Sequence, residues 1–376
     1  MKHLLTGAAA LLSTTSLAYA AGLDRSDQPV DVIFQDGGYA EMSIGRVNPN
    51  QSGTFTYPPG TPIAGATASS GDMAPSYYQV GAAIKWDLSP QLSMAVIYDQ
   101  PFGAKVSYTE GSPLYPLTGT IANVTSTGIT SLLRYKINDN FSVHGGLRLV
   151  SAEADLTQVA SGLTKYTLDV ERGSGTGFVV GAAYERPEIA LRAAITYSSA
   201  IEMEHDATGT AYVDALGVAV PFAGKVAYDL PQSVNIDLQT GVAPGTLVFA
   251  NIRWADWPQT DVNGPTPAPG VTTDIIDYSE AAWSYSIGVG RQFSDRFAGS
   301  IAFGWEPEQG GLATNLSPSD GVKSITLGGK FALSENLDLS AGVSYQWRGS
   351  ATVEDINAKF DDNSLVGAGI KIAYKF

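Results

Sequence analysis

Leu337-Asp338-Leu339-Ser340-Ala341-Gly342-Val343-Ser344-Tyr345-Gln346-Trp347-Arg348 is the stretch that decides the fold. Every odd position is apolar and every even one is polar or Gly, and the pattern holds for twelve residues. A period of two belongs to a strand with two unlike faces, and helical spacing cannot produce it. The C-terminus repeats the pattern: Val366, Ala368, Ile370, Ile372, Tyr374 and Phe376 share one face, with Gly367, Gly369, Lys371 and Lys375 on the other. Similar stripes run through Tyr78/Val80/Ala82/Ile84/Trp86, Phe178/Val180/Ala182/Tyr184, Trp283/Tyr285/Ile287/Val289 and Phe297/Ile301/Phe303/Trp305. Aromatic residues cap these stripes, where the interfacial girdles of a transmembrane barrel would sit.

Alternation marks about fourteen strands, near 37–47, 76–88, 91–100, 124–136, 141–155, 174–185, 189–203, 226–239, 246–258, 278–292, 296–305, 322–333, 337–350 and 363–376. Most reach the ~9–11 residues that a tilted strand needs to cross a bilayer. Connections alternate between tight turns and long loops. The turns are Ser89-Pro90, Asn138-Asp139-Asn140, Arg186-Pro187-Glu188, Gly241 to Gly245, Ser294-Asp295-Arg296 and Ser334-Glu335-Asn336. The loops run roughly 48–75, 101–123, 156–173, 204–223, 259–277, 306–321 and 351–362. A soluble sandwich has no reason for that asymmetry. An outer-membrane antiparallel β-barrel with short periplasmic turns and long extracellular loops requires it.

Composition agrees. Charged residues make up 16% of the chain, against ~25% in an ordinary soluble domain. The formal charge of -15 repels a phosphate backbone, so nucleic acid is not an expected partner. Cys is absent and His occurs three times, which leaves little for disulfide, thiolate or transition-metal chemistry. Neither a metal nor a cofactor is expected. Residues 1–20 read as a secretory signal: Met1-Lys2-His3 is a short basic start, Leu4 to Leu17 is mostly small and apolar, and Ala18-Tyr19-Ala20 has the small-x-small form of a cleavage site. Residues 21–36 are then a short periplasmic or plug segment, and 37–376 form the barrel. The final Phe376 at the end of an alternating strand resembles the signal read by the barrel-assembly machinery of Gram-negative bacteria.

Pro101 cannot donate a ladder hydrogen bond, and Gly103 removes side-chain packing, so pairing should fail near Pro101, Phe102 and Gly103. In a barrel wall that failure is a lateral gate; the competing reading is that Pro101 simply ends its strand at a loop. Arg134, Arg148, Arg192, Arg253 and Arg348 lie on the polar phase of their strands and should face the lumen. There a guanidinium pairs either with a substrate carboxylate or with an acidic group of the packed interior. Arg148 and Arg253 are the candidate ligand contacts among them. Leu114-Tyr115-Pro116-Leu117 and Val218-Ala219-Val220-Pro221-Phe222 suit either an outer capture surface or a lid. Acids on the long-loop side, including Glu202, Glu204, Asp206, Glu354, Asp355, Asp361 and Asp362, suit a solvated rim bridged to lipopolysaccharide by divalent ions.

Tyr98-Asp99-Gln100-Pro101-Phe102-Gly103, Ala194-Ile195-Thr196-Tyr197-Ser198-Ser199, Leu230-Pro231-Gln232-Ser233, Trp254-Ala255-Asp256-Trp257 and the region from Phe303 to Phe376 resemble the FadL/TodX/OmpP1 outer-membrane transporters. The resemblance implies a fourteen-stranded barrel that takes up long-chain fatty acids or other hydrophobic small molecules, with a kinked third strand and a lateral exit. It also implies a basic residue near the binding pocket at a strand entry, here Lys323. The chain departs from the family in its N-terminus, because no hatch of roughly forty residues with an Asn-Pro-Ala element precedes the first strand. A monomer in outer-membrane lipid is expected, with no catalytic residues. Glu202-Met203-Glu204-His205-Asp206 is the one candidate rim site for an enzyme, and no matching second acidic cluster accompanies it. A general diffusion porin for small hydrophilic solutes is the alternative function, although it would call for more lumen charges.

Overall fold

The computed structural model describes residues 23–160, 164–213, 217–310, 312–353 and 356–376; the leader expected over 1–20, and Glu354 and Asp355, lie outside them. Seventeen ladder segments form one closed sheet, and they amount to fourteen wall strands because three strands are each interrupted once. In chain order these are β1 (Tyr39–Asn50), β2 (Tyr77–Asp87), β3 (Leu92–Asp99 and Gly103–Ser107), β4 (Ile121–Lys136), β5 (Phe141–Ala160), β6 (Thr164–Arg186) and β7 (Leu191–Ser198 and Ile201–Val213). The remainder are β8 (Val218–Leu230 and Ser233–Ala243), β9 (Thr246–Ala255), β10 (Ala282–Gln292), β11 (Phe297–Glu306), β12 (Val322–Ala332), β13 (Leu337–Arg348) and β14 (Asn363–Lys375). Each strand pairs antiparallel with its sequence neighbours, and β14 closes the ring on β1 from Tyr39↔Lys375 to Asn50↔Ser364. Closure matters because lipid offers no partner to an exposed N–H or C=O.

The alternation seen in sequence is the division between lipid and lumen. Ile287, Phe303, Leu327, Val343 and Ile370 are exposed on the outside, while Lys85, Arg134, His144, Arg148, Arg192, Arg253, Lys330 and Lys371 are buried within. Trp283, Trp305 and Trp347 mark one rim of the apolar band; Tyr135, Phe141, Phe293, Phe297 and Tyr374 mark the other. Trp254 stands beside Trp283 in the ladder, but Trp257 turns inward and is fully buried.

Two expected loops turn out to be wall over their described residues, and a third is wall in part. The 156–173 and 204–223 spans continue β5–β8 far above the membrane, and 101–123 carries the second half of β3. Alternation missed the tall wall because its amphipathicity is inverted. Leu156, Leu168, Val170, Ala207 and Val226 face inward, and Glu153, Arg172, Glu204 and Lys225 face water, with Arg172 paired to Glu153 and Lys225 to Glu204. Outside the bilayer an outward apolar residue is a cost, so the pattern must flip. A small five-stranded sheet (Gly53–Thr56, Thr67–Ser69, Leu312–Ala313, Ala351–Val353 and Ala358–Phe360) covers the mouth. Tyr115 and Leu117 are buried beneath the loops, so that segment packs as a lid, with only Leu114 on the surface.

Ile287 lies mid-strand on the lipid face, and Trp283 lies at the rim. Ile287→Arg should cost the folded barrel about 2–4 kcal/mol and Trp283→Arg about 0–1 kcal/mol, as depth dictates. Reversible unfolding in lipid vesicles measures both.

Candidate functional site in the plugged lumen and the broken third strand

Residues 23–38 run inside the barrel, and their acids and amides meet the lumen cations one by one. Asp24 Oδ2 accepts from Arg253 Nε at 2.9 Å and from a terminal Arg253 nitrogen at 2.5 Å, with both side chains buried. The same guanidinium donates to Ser233 Oγ (3.1 Å) and Asn235 Oδ1 (2.8 Å). Arg148 donates to Gln28 Oε1 and to Thr130 Oγ1 (3.0 Å), and Arg192 donates to Asp31 Oδ1 (2.7 Å). A 3-10 turn at Asp31–Phe34 then places the Phe34 ring 4.7 Å from the guanidiniums of both Arg134 and Arg192, edge-on to His144. Arg134 itself is paired with Glu185 of the wall. Lys85 Nζ donates to the Gly37 carbonyl at 2.9 Å, below the plug's exit toward β1.

The third strand is where this plug touches the wall's backbone. β2 pairs with β3 only from Ala82↔Tyr98 to Asp87↔Ser93. Above that level Tyr77, Tyr78, Gln79, Val80 and Gly81 pair with β1 alone, and Gly103–Ser107 pairs with β4 alone. The strand therefore resumes beyond Pro101, which interrupts it and does not end it. Substitutes occupy the broken ladder. Val80 N donates to Gln100 Oε1 at 2.9 Å, Phe102 N to Ser126 Oγ at 2.9 Å, and Ser126 Oγ to the Phe102 carbonyl at 2.7 Å. The plug supplies the rest: Arg25 N donates to the Pro101 carbonyl and Gly103 N to the Leu23 carbonyl, each at 2.8 Å, while Gln79 Nε2 donates to the Arg25 carbonyl.

Two glycines make that approach possible. A Cβ at Gly103 would stand 2.6 Å from the Arg25 guanidinium carbon, and one at Gly128 would stand 2.6 Å from Asp99 Oδ1 and 3.2 Å from the Pro101 ring. Phe102 is buried and meets Trp257 edge-to-face at 6.1 Å. At the break a cavity of about 120 Å³ is lined both by the plug residues Ser26 and Pro29 and by the lipid-facing Ile44, Val80 and Ile370.

Among the residues expected from sequence to contact a ligand, Arg148 and Arg253 do face the lumen but are occupied by the plug. Lys323 does not line the lumen: it is exposed on the outer face between Trp305 and Trp347 in adjacent strands. Its place in β12 shares the phase of Leu327, and that phase points to lipid. Asp24, Gln28, Asp31, Gln79, Gln100 and Ser126 were missed. Three acids within Asp24–Asp31 set against a lumen rich in arginine were the available signal. His205 of the candidate rim enzyme site turns inward, its Nδ1–H donating to the Glu171 carbonyl and its ring stacking on Tyr228, away from the exposed Glu202 and Glu204.

Burial, followed by the neighbouring Asp24 carboxylate, pushes the Asp27 carboxyl up to about 7, opposed by Arg253.

The N-terminal segment thus lies in the lumen of the barrel, bonded to its cations. The chain matches the family model of the outer membrane transport proteins (OMPP1/FadL/TodX) over residues 39–375, and it belongs to that family. No curated protein matches it significantly in sequence. Solved structures with the same fold include a Pseudomonas aeruginosa FadL homologue (TM-score 0.73, 14% identity, 93% of this chain and 92% of that one). The Pseudomonas putida toluene transporter TodX superposes with a TM-score of 0.70 at 14% identity, covering 99% and 94% of the two chains. The Ralstonia pickettii toluene transporter TbuX gives 0.68 at 14% identity, covering 98% of each. The protein is accordingly an outer-membrane transport barrel for hydrophobic compounds, and a general porin is not favoured.

Asp24→Asn leaves the buried Arg253 without its counter-charge, which should weaken plug docking by roughly 3–5 kcal/mol. Single-channel recording should then show frequent openings where the parent is quiet. A carboxyl raised to about 7 favours the docked plug while protonated, so docking should weaken as pH climbs from about 4 to 7 and then level off. Protease nicking of the plug should rise over that window in the parent and lose its pH dependence in Asp27→Asn.

Proposed function

We propose that the protein takes up fatty acids, aromatic hydrocarbons or related hydrophobic small molecules, releasing them sideways into the membrane at the break beside Pro101, Phe102 and Gly103. The observation that carries this reading is the unpaired edge of β2 from Tyr77 to Gly81, facing a strand that has shifted its pairing to β4. Sideways release is favoured by solvation: a ligand delivered to aqueous periplasm would re-expose roughly 0.8 kcal/mol per CH₂, and one delivered to hydrocarbon would not. Arg148 and Arg253, on this reading, hold the plug in the closed barrel and meet a ligand only after it moves. Their first role is closure.

The apolar interior of the tall wall and loops, including Met73, Val106, Tyr108, Leu168 and Phe360, supports capture on the outer side. Lys323 between its two tryptophans suits a phosphate of outer-leaflet lipopolysaccharide, and Phe376 suits recognition by the barrel-assembly machinery. The leader over 1–20 fits export, and the chain acts as a monomer.

Cells lacking their own transporter and expressing this protein should accumulate labelled long-chain fatty acid or toluene. Pro101→Ala, which restores a backbone donor at the break, should lower uptake several-fold without lowering the amount of folded barrel. Passage of hydrophilic sugars with no uptake of either apolar probe would overturn this reading.

A further inference from the structure

Cations on the outer face of the wall divide by partner. Arg172 and Lys225, on the tall wall, are ion-paired to Glu153 and Glu204. Arg46 and Lys105 are exposed and make no ion pair among the described residues. Arg46 donates from Nε to Asn48 Oδ1 at 3.0 Å, and its guanidinium carbon lies 5.7 Å from the centre of the Tyr78 ring. Its terminal nitrogens have no hydrogen bond among the described residues. Lys105 Nζ reaches only the Ser76 carbonyl, at a long 3.4 Å. Arg46 stands opposite Tyr78 in the ladder, two residues beyond Ser76, so the points that hold the two cations are only about 7 Å apart along β2. They come from opposite sides of the break, because Gly103–Ser107 pairs with β4 alone.

The outward phase of β1 runs Met42, Ile44, Arg46, Asn48, Asn50, and that of β2 runs Ile84, Ala82, Val80, Tyr78. Apolar gives way to polar at Arg46 with an aromatic ring beside it, which sets this spot at the outer headgroup level. Strands β12–β14 and β1–β4 offer no acid there. Glu41, Asp99 and Asp338 turn inward to Lys371, Ser26 and Lys330, and Asp87 lies at the periplasmic end. Outward acids stand over β5–β8 instead, where Asp155 faces Asp169 and Glu202 faces Asp229 across the ladder, all four exposed. The outer surface is therefore acidic over the tall wall and basic over the break.

We propose that the basic face docks a phosphorylated glycolipid of the outer leaflet, with a phosphate between Arg46 and Lys105. Guanidinium and ammonium both donate to phosphate oxygens in charge-assisted hydrogen bonds, and the headgroup layer is where such anions stand. The acyl chains then descend along Ile44, Val80 and Ile370, which line the outer side of the cavity at the break. A phosphate held this way spans the two sides of the interrupted ladder, where β2 and β3 have no direct pairing above Ala82↔Tyr98. The proposal needs only the barrel in its membrane and does not depend on the transport reading.

The full barrel in detergent, incubated with bisphosphorylated lipid A or its dephosphorylated form in excess EDTA, should retain the phosphorylated lipid at least fivefold better by native mass spectrometry. Arg46→Gln and Lys105→Gln should each lower that preference about two- to threefold and together bring it near unity. Lys225→Gln, which removes an outward cation from the acidic side, should leave it unchanged; heat-modifiable gel mobility checks that each variant is folded. A preference that survives the double variant, or falls as far in Lys225→Gln, would overturn the site. So would equal retention of the two lipids by the parent in EDTA, and a preference returning only with Mg²⁺ would assign the lipid to the acids of β5–β8.

Discussion

Every backbone polar group inside a bilayer must find its partner within the protein, and this constraint governs both the wall and the break beside Pro101. Fourteen strands satisfy it by closing β14 onto β1. Pro101 violates it locally, since a proline has no N–H and the strand beyond it leans away from β2. Other groups stand in for the lost ladder. Gln100 and Ser126 donate or accept in place of missing partners, and the N-terminal segment adds a short piece of extra strand at Leu23–Arg25.

Electrostatics fixes where that segment lies. A lumen wide enough to accept a chain and lined by guanidiniums is unfavourable when dry, and the plug's acids answer it at Arg253 and Arg192. Phe34 fills the space between Arg134 and Arg192, where an aromatic face tolerates two cations. The short segment 23–38 is held in the lumen by charge complementarity, with far fewer residues than the hatch that the resemblance implies.

The membrane band was legible because lipid imposes one rule on every strand. Val343, Tyr345 and Trp347 point out, Ser344 and Gln346 point in, and no tertiary contact can override that phase without placing a polar group in hydrocarbon. The tall wall was not legible, since Leu156, Leu168 and Val170 obey the opposite rule and their strands read as loops. Lys323 was set near the pocket by the resemblance alone; its strand phase and the girdle tryptophans beside it put it on the outer face at the headgroup level. The plug's contacts were hidden because they join residues more than a hundred positions apart, as Arg148 to Gln28 and Arg253 to Asp24 do. Residue type announced the charges, and only the fold reveals which of them already have partners.

The plug's anchors carry a consequence for assembly. Its holds include Gln79 and Lys85 on β2, Gly103 on β3, Arg148 on β5, Arg192 on β7, Asn235 on β8 and Arg253 on β9, spread around more than half of the ring. The segment has its full docking surface only where those strands stand side by side. It enters the lumen through the seam where β1 meets β14, tethered there by reciprocal bonds between Gly38 and Phe376. The seated segment therefore depends on contacts that only the assembled ring brings together.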